Sequence, residues 1–283
     1  MRRWIVLVVA LAGLAALAGL GLRNARADPV VRTAAIALPD WPDGAAPVRV
    51  ALLSDLHFGN LATDEARLAR VVALTNAQRP DIVFIAGDIL AGYRDADARA
   101  RAAPVAHILH GLRAPLGVFV VFGNHDDAGG GAVPRALAGA GLGATQNVAV
   151  RAGPLALGLS GDTSAGTARL GPVYVGLDKL RRRVALATVF VTHSPDLMQF
   201  LPTDHALLLA GHTHCGQIVL PLIGPLINVS RVSGNLYRCG LIRAGGRILV
   251  VSAGIGTSNV PLRFGAPPDL WLLTLGPEVR SNR

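Results

Sequence analysis

The sequence predicts an α/β protein in which helices cover β-sheets, with a membrane helix at the N-terminal end. Short apolar runs rich in β-branched residues alternate with stretches of helical character, which is the pattern of sheets packed against helices. Of the 283 residues, 51% are hydrophobic and 16% are charged, a balance that excludes a disordered chain. Only two cysteines are present, so any bound metal is expected to have His, Asp, Glu or Asn ligands.

The formal net charge of +9 comes from 27 basic and 18 acidic residues. Such an excess favours anionic partners, among them phosphate esters, acidic lipid surfaces and nucleic acids. The arginines are scattered, however, and the dense run at residues 181–183 is short, so a general preference for arginine explains the charge equally well. Charge therefore does not select a partner.

A continuous apolar segment, residues 4–22, follows Arg2 and Arg3. Its length lies within the roughly 17 to 25 residues of a membrane-spanning helix and exceeds the roughly 7 to 15 of a signal-peptide core. We therefore predict an uncleaved anchor over residues 1–22. A removable signal is the alternative, because residues 25–27 have the small-x-small pattern that signal peptidase accepts. Both place the remaining chain at a membrane and favour its export.

Residues 23–47 are rich in proline and show little periodicity, which predicts an extended tether. The prolines are Pro29, Pro39, Pro42 and Pro47. From Val48 onward the sequence has no repeat, low-complexity tract or second linker, so we predict a single folded domain over residues 48–283.

Three helical stretches are predicted in this domain. The first is capped by Thr63 and ends before Arg79, which a proline follows. A weaker helix covers residues 96–112, where Pro104 argues against assigning one continuous piece. A third is expected over residues 134–141.

Apolar β-branched runs predict buried strands between these helices. The runs are Val48 to Leu53, Asp81 to Ala86, Val118 to Phe122, Ala187 to Val191 and Ala206 to Ala210, with Arg247 to Ser252 and Leu270 to Leu275 in the tail. Ligands of open α/β sheets bind beyond the carboxyl ends of the strands, so the residues that follow these runs are expected to converge.

Potential metal ligands follow each of the first five strands. The segments are Ser54-Asp55-Leu56-His57, Gly87-Asp88, Gly123-Asn124-His125-Asp126, Thr192-His193 and Gly211-His212-Thr213-His214. Taken singly, each Asp is more simply a turn residue and each His a core residue, but the joint pattern favours a metal site. Imidazole and carboxylate ligands without thiolate suit Mn, Fe, Zn, Co or Ni. Two such ions about 3.5 to 4 Å apart would support phosphoester hydrolysis.

The ordered motifs DxH, GD, GNHD, H and GHTH resemble those of the calcineurin-like metallophosphoesterase superfamily. Residues 256–258 and 261–264 also resemble its membrane-anchored bacterial branch. The resemblance implies an αββα sandwich of two packed mixed β-sheets flanked by helices. It further implies a bacterial inner-membrane protein that contacts the membrane through its N-terminal helix. Because the N-terminal segment favours export, we expect a periplasmic catalytic domain.

The same resemblance implies two divalent transition metal ions, with Mn favoured. Seven side chains would hold them: Asp55, His57 and His214 on the first metal, Asn124, His193 and His212 on the second, and Asp88 bridging both. His125 and Asn124 would bind the substrate phosphate, with His125 as proton donor or as a stabiliser of transition-state charge and Asp126 orienting it. The nucleophile would be a metal-bridging hydroxide, so no covalent enzyme intermediate is needed.

Two positions depart from the family pattern. Cys215 stands where the branch commonly has glycine, and we interpret it as a small spacer, with a disulfide to Cys239 as the alternative. Ala91 stands where iron-tyrosinate acid phosphatases have tyrosine, which disfavours a purple acid phosphatase. Arg263 is expected either to contact the substrate phosphate or to stabilise the fold. A structural role is expected for His107, His110 and His205.

These features predict a metal-dependent phosphoric ester hydrolase acting on phosphodiester or pyrophosphate bonds. The resemblance suggests a lipid or cell-envelope substrate such as UDP-2,3-diacylglucosamine of lipid A biosynthesis, which is made on the cytoplasmic side whereas the N-terminal segment favours export. A non-hydrolytic metal-binding scaffold of the same fold and a nuclease are the alternatives. No stable nucleic-acid complex is expected, because aromatic residues make up only 5% of the chain. The oligomeric state is not predicted.

Overall fold

The computed structural model describes residues 2–92, 94–126, 130–203, 207–230 and 236–277. Over these residues the predicted α/β class is confirmed, because two mixed β-sheets pack together with helices on their outer faces. The helices of this part of the chain are α1 (Arg2–Arg26), α2 (Glu65–Ala77), α3 (Asp95–Leu109), α4 (Ala132–Gly139) and α5 (Leu170–Arg181).

Each sheet has six strands within the described ranges. The order in the first is β1 (Val30–Leu38), β14 (Asp269–Pro277), β2 (Val48–Leu53), β3 (Ile82–Ala86), β4 (Val118–Val121) and β5 (Gly143–Ala144). The order in the second is β12 (Gly240–Ala244), β13 (Arg247–Val251), β9 (Leu207–Ala210), β8 (Ala187–Val191), β7 (Leu155–Leu159) and β6 (Val148–Ala152). A short hairpin pairs β10 (Val219–Leu220) with β11 (Gly224–Pro225). Strands β2 to β4 run parallel, as do β7 to β9, so each set ends at one edge.

The core between the sheets is aliphatic, as expected for parallel strands covered on both faces. Leu52 of the first sheet and Val189 of the second belong to one fully buried cluster. On the outer faces, Leu68 of α2 packs on the first sheet and Val173 of α5 packs on the second. The αββα arrangement implied by the family resemblance is therefore confirmed.

Residues 23–47, predicted as a tether, fold differently. Helix α1 continues to Arg26, and residues 30–38 form the edge strand β1, which pairs in parallel with β14. Ile36 and Leu38 are buried in the core between the sheets. The tether prediction is wrong for these residues because Pro29 and Pro39 flank the strand and do not interrupt it, and proline is tolerated at the ends of edge strands.

Several boundaries inside the domain also differ from the predictions. Asp64, and not Thr63, caps α2, because its carboxylate accepts the backbone N–H of Arg67 at 2.8 Å. Helix α3 runs through Pro104 as one piece. Helix α5 and strands β6 and β7 were not predicted: α5 contains a proline and two glycines, and the two strands are short runs that include alanine or glycine. His205, together with the alanine after it, lies outside the described residues.

Helix α1 is apolar and almost fully exposed, which is the property of a helix that crosses a membrane. In the described part of the chain it is the one helix with the length and composition of a membrane span. Its last turns contact the body, where Gly21 and Ala25 are buried. The helix therefore indicates membrane association.

Arg67 connects the end of α1 to the domain. Its side chain is fully buried and donates to the carbonyls of Arg26 and Ala27 at 3.2 and 2.9 Å. It also donates to the Thr63 hydroxyl at 3.0 Å and to the Ile255 carbonyl at 2.9 Å. One guanidinium group thus satisfies carbonyls at the end of α1 and in the loop after β13.

Replacing Arg67 by methionine is expected to lower the free energy of unfolding by about 2 to 4 kcal/mol, because buried acceptors lose their charged donor. Urea unfolding of the detergent-solubilised chain measures this loss. Arg70→Met is the control: Arg70 is exposed, contacts Asp28 at 3.3 Å, and should change stability by less than about 0.5 kcal/mol. Equal effects of the two substitutions would contradict the proposed connection.

Candidate metal centre

The predicted ligands lie where strands of both sheets end. Asp55, Asp88 and Asn124 follow β2, β3 and β4 of the first sheet. His193 and His212 follow β8 and β9 of the second sheet. Because the sheets pack with these edges together, residues that are distant in sequence face a common cavity.

Asp55, His57 and His214 form the first group of potential ligands. The Nε2 atoms of His57 and His214 are 3.1 Å apart, and His214 Nε2 lies 3.3 Å from Asp55 Oδ1. All three side chains are buried. Two imidazole nitrogens facing each other at this distance need a proton or a cation between them, so the donor set fits a divalent metal ion.

The second group is arranged around His193. Its Nε2 lies 3.3 Å from Asp88 Oδ2 and 3.1 Å from His212 Nδ1. Its other ring nitrogen, Nδ1, lies 2.7 Å from the Ala86 carbonyl, which directs Nε2 into the site as in many metal-binding histidines. Asn124 lines the same cavity. Imidazole, carboxylate and amide groups together again suit a transition metal.

Asp88 lies between the two groups. Its Oδ2 atom is 3.5 Å from His57 Nε2 and 3.3 Å from His193 Nε2. Its Oδ1 atom accepts the backbone N–H of His125 at 2.9 Å. The carboxylate is therefore placed to contact cations in both positions.

Backbone strain is concentrated at these residues. Left-handed φ angles, which are rare for residues other than glycine, occur at Asp55 (48°), His57 (43°), Asp88 (53°), His212 (70°) and His214 (49°). The neighbouring glycines are required for close approach, since a Cβ at Gly123 would collide with the Asp88 carboxylate and one at Gly211 with that of Asp55. Strain of this kind persists where function requires it.

Burial sets the protonation of most of these histidines. It lowers the pKa of His57 to about 3 and that of His212 to about 4, and it lowers the pKa of His214 well below the ordinary value. Burial acts in the same direction on His193, but the charge of Asp88 outweighs it and raises the pKa of His193 well above the ordinary value. The imidazoles of His57, His212 and His214 are thus neutral near pH 7. The imidazole of His193 is protonated and paired with the Asp88 carboxylate.

Asp88 and Asp55 differ although both are buried. Burial opposes ionisation of Asp88, yet the neighbouring imidazoles, His193 above all, hold its pKa well below the ordinary value. Burial raises the pKa of Asp55 to about 6. Asp88 therefore stays ionised at lower pH than Asp55 does.

His125 and Asp126 lie beside the two ligand groups. His125 Nε2 is 3.8 Å from Asp88 Oδ2, and its ring stands edge-on to that of His57. The Asp126 carboxylate accepts the backbone N–H groups of Ile89 and Gly123 at 2.8 and 2.9 Å. Through these bonds Asp126 connects the loops after β3 and β4, which carry Asp88 and His125.

The remaining candidates lie outside the ligand groups. Arg263 is buried and donates to the carbonyls of residues 253, 254, 256 and 266, with its Nη2 atom 3.3 Å from His214 Nδ1. These bonds favour its fold-stabilising role. His110 Nδ1 lies 2.7 Å from the Ala140 carbonyl at the surface.

Cys215 is bonded to Cys239, so its interpretation as a spacer is wrong. The two residues are 24 positions apart with a Cα–Cα distance of 4.8 Å. The disulfide closes the chain segment that contains the β10–β11 hairpin. Nothing in the local sequence around either cysteine specifies this pairing.

Sequence reasoning also missed an apolar wall of the cavity. The wall consists of Ile218, Leu226, Ile227, Val229 and Val260. Polar residues, among them Asn124 and His125, line the same cavity. The cavity therefore combines groups of metal-ligand type with a hydrocarbon-compatible surface.

The fold and this cluster define an α/β protein with a candidate centre for two metal ions. The family model for calcineurin-like phosphoesterases matches residues 48–216, which is more than half of the chain. The chain therefore belongs to the calcineurin-like phosphoesterase family, as its motifs predicted.

Relatives from bacteria and from an animal support this membership. The chain is 33% identical over 244 residues to the metallophosphoesterase YkuE of Bacillus subtilis, covering 83% of this chain and 81% of YkuE. It is 30% identical over 246 residues to the phosphodiesterase YaeI of Escherichia coli, covering 83% and 84%. It is 28% identical over 289 residues to a transmembrane protein with metallophosphoesterase domain from Danio rerio, covering 95% and 62%.

Proposed function

We propose that this protein is a binuclear-metal phosphoesterase that hydrolyses phosphodiester or pyrophosphate bonds. Asp55, His57 and His214 would hold one ion, Asn124, His193 and His212 the other, and Asp88 both. The observation that carries this proposal is the position of Asp88, within 3.5 Å of His57 in one group and 3.3 Å of His193 in the other. Family membership and the name of YaeI support the choice of phosphodiesters.

When bound, two divalent cations, with Mn favoured, supply Lewis acidity and lower the pKa of coordinated water. The chain's own groups bind and orient the phosphate. Asn124 and His125 face the cavity beside Asp88. Burial lowers the pKa of His125, so its neutral ring offers one N–H to a phosphoryl or leaving-group oxygen. The Asp126 hydrogen bonds to the Ile89 and Gly123 backbones would hold together the two loops that carry Asp88 and His125.

The substrate is proposed to be a lipid or cell-envelope phosphoester; UDP-2,3-diacylglucosamine, which is made on the cytoplasmic side, is the candidate only for a domain that faces the cytoplasm. The apolar wall supports a substrate with hydrocarbon beside the phosphate. We place the domain on the periplasmic side of the bacterial inner membrane. The disulfide supports export, because disulfides persist in oxidising compartments. A periplasmic domain favours substrates at the outer face of that membrane over those made in the cytoplasm.

The direct test is hydrolysis by the metal-reconstituted chain of a p-nitrophenyl monoester, bis(p-nitrophenyl) phosphate, a cyclic nucleotide and a UDP-glycolipid. Metal-dependent turnover of the diester or the pyrophosphate is expected. A Mn-loaded chain that is inert toward all four would overturn the proposal in favour of a non-hydrolytic scaffold.

The apolar wall predicts a preference for hydrocarbon. Hexyl p-nitrophenyl phosphate is expected to have a kcat/KM roughly tenfold above that of the methyl ester. A tenfold ratio corresponds to about 1.4 kcal/mol, which is slightly less than the free energy of burying two methylene groups. Leu226→Ser should reduce this preference and leave methyl-ester hydrolysis unchanged. Equal kcat/KM values for the two esters would contradict the lipid assignment without affecting the phosphodiesterase assignment.

Metal uptake should depend on pH through His193. Below its raised pKa this imidazole is protonated and must lose its proton to bind metal, whereas His57, His212 and His214 are already neutral. Near pH 7 we therefore expect metal binding to release protons, and an affinity that weakens as the pH falls. Calorimetric Mn titrations in two buffers of different ionisation enthalpy measure the proton release. Metal binding with no proton release would contradict this assignment.

A further inference from the structure

The chain from Ile218 to Val229, called here the 218–229 hairpin, is an apolar projection from the domain. It contains no charged side chain. At its tip Leu222 is fully exposed and Ile223 is 72% exposed, and Ile227 further along is 62% exposed. A concentrated apolar surface of this kind marks an interaction site with a protein or a membrane.

The base of the hairpin lies next to the end of α1. The Val219 backbone N–H donates to the Phe264 carbonyl at 2.8 Å, and Phe264 donates to Gln217 at 3.0 Å. The residue before Phe264, Arg263, donates its backbone N–H to the carbonyl of Gly21 at 3.0 Å. The hairpin is therefore separated from α1 by a single strand-like segment.

This contact occurs where the apolar span ends. Residues 4–22 are uncharged, and Arg23 and Arg26 occupy the last turn of α1. Basic residues directly after an apolar span mark the boundary between hydrocarbon and headgroups. Because neighbouring strands are about 5 Å apart, the hairpin base lies within about 10 Å of that boundary.

The hairpin also borders the candidate metal centre. Leu226, Ile227 and Val229 contribute to the apolar wall of the cavity that contains Asp88 and His125. The disulfide at Cys215 and Cys239 joins the chain on either side of the hairpin. One apolar element thus connects the membrane boundary with the entrance of the cavity.

We propose that the 218–229 hairpin inserts its tip into the bilayer that α1 crosses, so that the cavity opens toward the lipid headgroups. The occupant of this surface is the lipid bilayer, because the surface is continuous with the end of the membrane helix. The consequence for substrates, access to phosphoesters embedded in the membrane, rests on the proposed phosphoesterase function. The membrane contact itself does not.

Tryptophan fluorescence of the full chain in phosphatidylcholine–phosphatidylglycerol vesicles tests the contact. Ile223→Trp, in a background with Trp4→Phe, should add blue-shifted emission that brominated lipids quench, measured as the difference from the same background without Ile223→Trp, in which Trp41 and Trp271 remain. The control is Val175→Trp, because Val175 is 56% exposed on α5 at the outer face of the second sheet and should not be quenched. Unshifted, unquenched emission from position 223 would overturn the proposal. Blue-shifted emission without quenching would also overturn it and indicate a protein partner or a second copy.

A second variant separates this contact from catalysis. Leu222→Asp combined with Ile223→Asp should reduce hydrolysis of a vesicle-embedded p-nitrophenyl alkyl phosphate by about tenfold, and leave hydrolysis of soluble bis(p-nitrophenyl) phosphate unchanged. Equal retention of both activities would count against the proposal. A wild-type chain that is inert toward the soluble ester would instead refute the phosphoesterase function, and the quenching result would still decide the membrane contact.

Discussion

Replacing Asp88 by alanine is expected to abolish turnover, with a loss on the order of a thousandfold or more in kcat. The carboxylate faces both ligand groups, and the neighbouring imidazoles keep it ionised. Its removal leaves His57 and His193 without the shared anion that would hold two cations close together. Steady-state hydrolysis of bis(p-nitrophenyl) phosphate measures the loss, and metal analysis should show fewer bound ions per chain.

Asp178→Ala is the matched control for Asp88→Ala. Asp178 is an exposed acid on α5, paired with Arg182 in the next helical turn, and its loss should leave both turnover and metal content unchanged. Full activity of Asp88→Ala, with two metal ions retained, would show that the two groups do not share this ligand.

Replacing His125 by alanine is expected to lower kcat by about a hundredfold or more while metal content stays the same. His125 lies beside Asp88 but outside the proposed ligand set, so its contribution is to the phosphate and the departing oxygen. If it protonates the leaving group, the loss should be larger for an alkoxide than for p-nitrophenolate, which leaves without a proton.

The control for this substitution is His107→Ala. His107 lies on α3 and is exposed, and its replacement should leave kcat unchanged. A His125→Ala chain that keeps the wild-type kcat would show that His125 does not act on the phosphate or the leaving group. A chain that loses metal together with activity would make His125 a ligand instead.

The parts of the fold that sequence predicts well are those in which local pattern and tertiary structure agree. Buried apolar runs at β2, β3, β8 and β9 are each followed by polar residues. The same sequence pattern therefore predicted both the strand and the candidate ligands at its end. The candidate ligands were found because each follows such a strand. Asp55 and His214 are 159 positions apart, yet the family motifs placed them in one group and the structure brings them within 3.3 Å.

Other features depend on tertiary contacts that no local pattern reveals. Strand β1 is stabilised by its pairing with β14, more than 230 residues away, and its flanking prolines resemble those of a linker. The bond between Cys215 and Cys239 requires the hairpin to fold back. Asp126 accepts hydrogen bonds from the backbone of two loops, and its place next to His125 in the sequence does not indicate these contacts. The apolar wall is formed by the 218–229 hairpin together with Val260 from a distant loop, so no local pattern predicts it.

The metal content of the purified chain tests the binuclear centre most directly. After reconstitution with Mn, elemental analysis should give two ions per chain, and electron paramagnetic resonance should show the multiline spectrum of an exchange-coupled pair. Asp88→Ala should convert this spectrum to that of isolated Mn ions. A wild-type chain that binds one ion or none, or two ions without magnetic coupling, would contradict a centre in which Asp88 joins both groups.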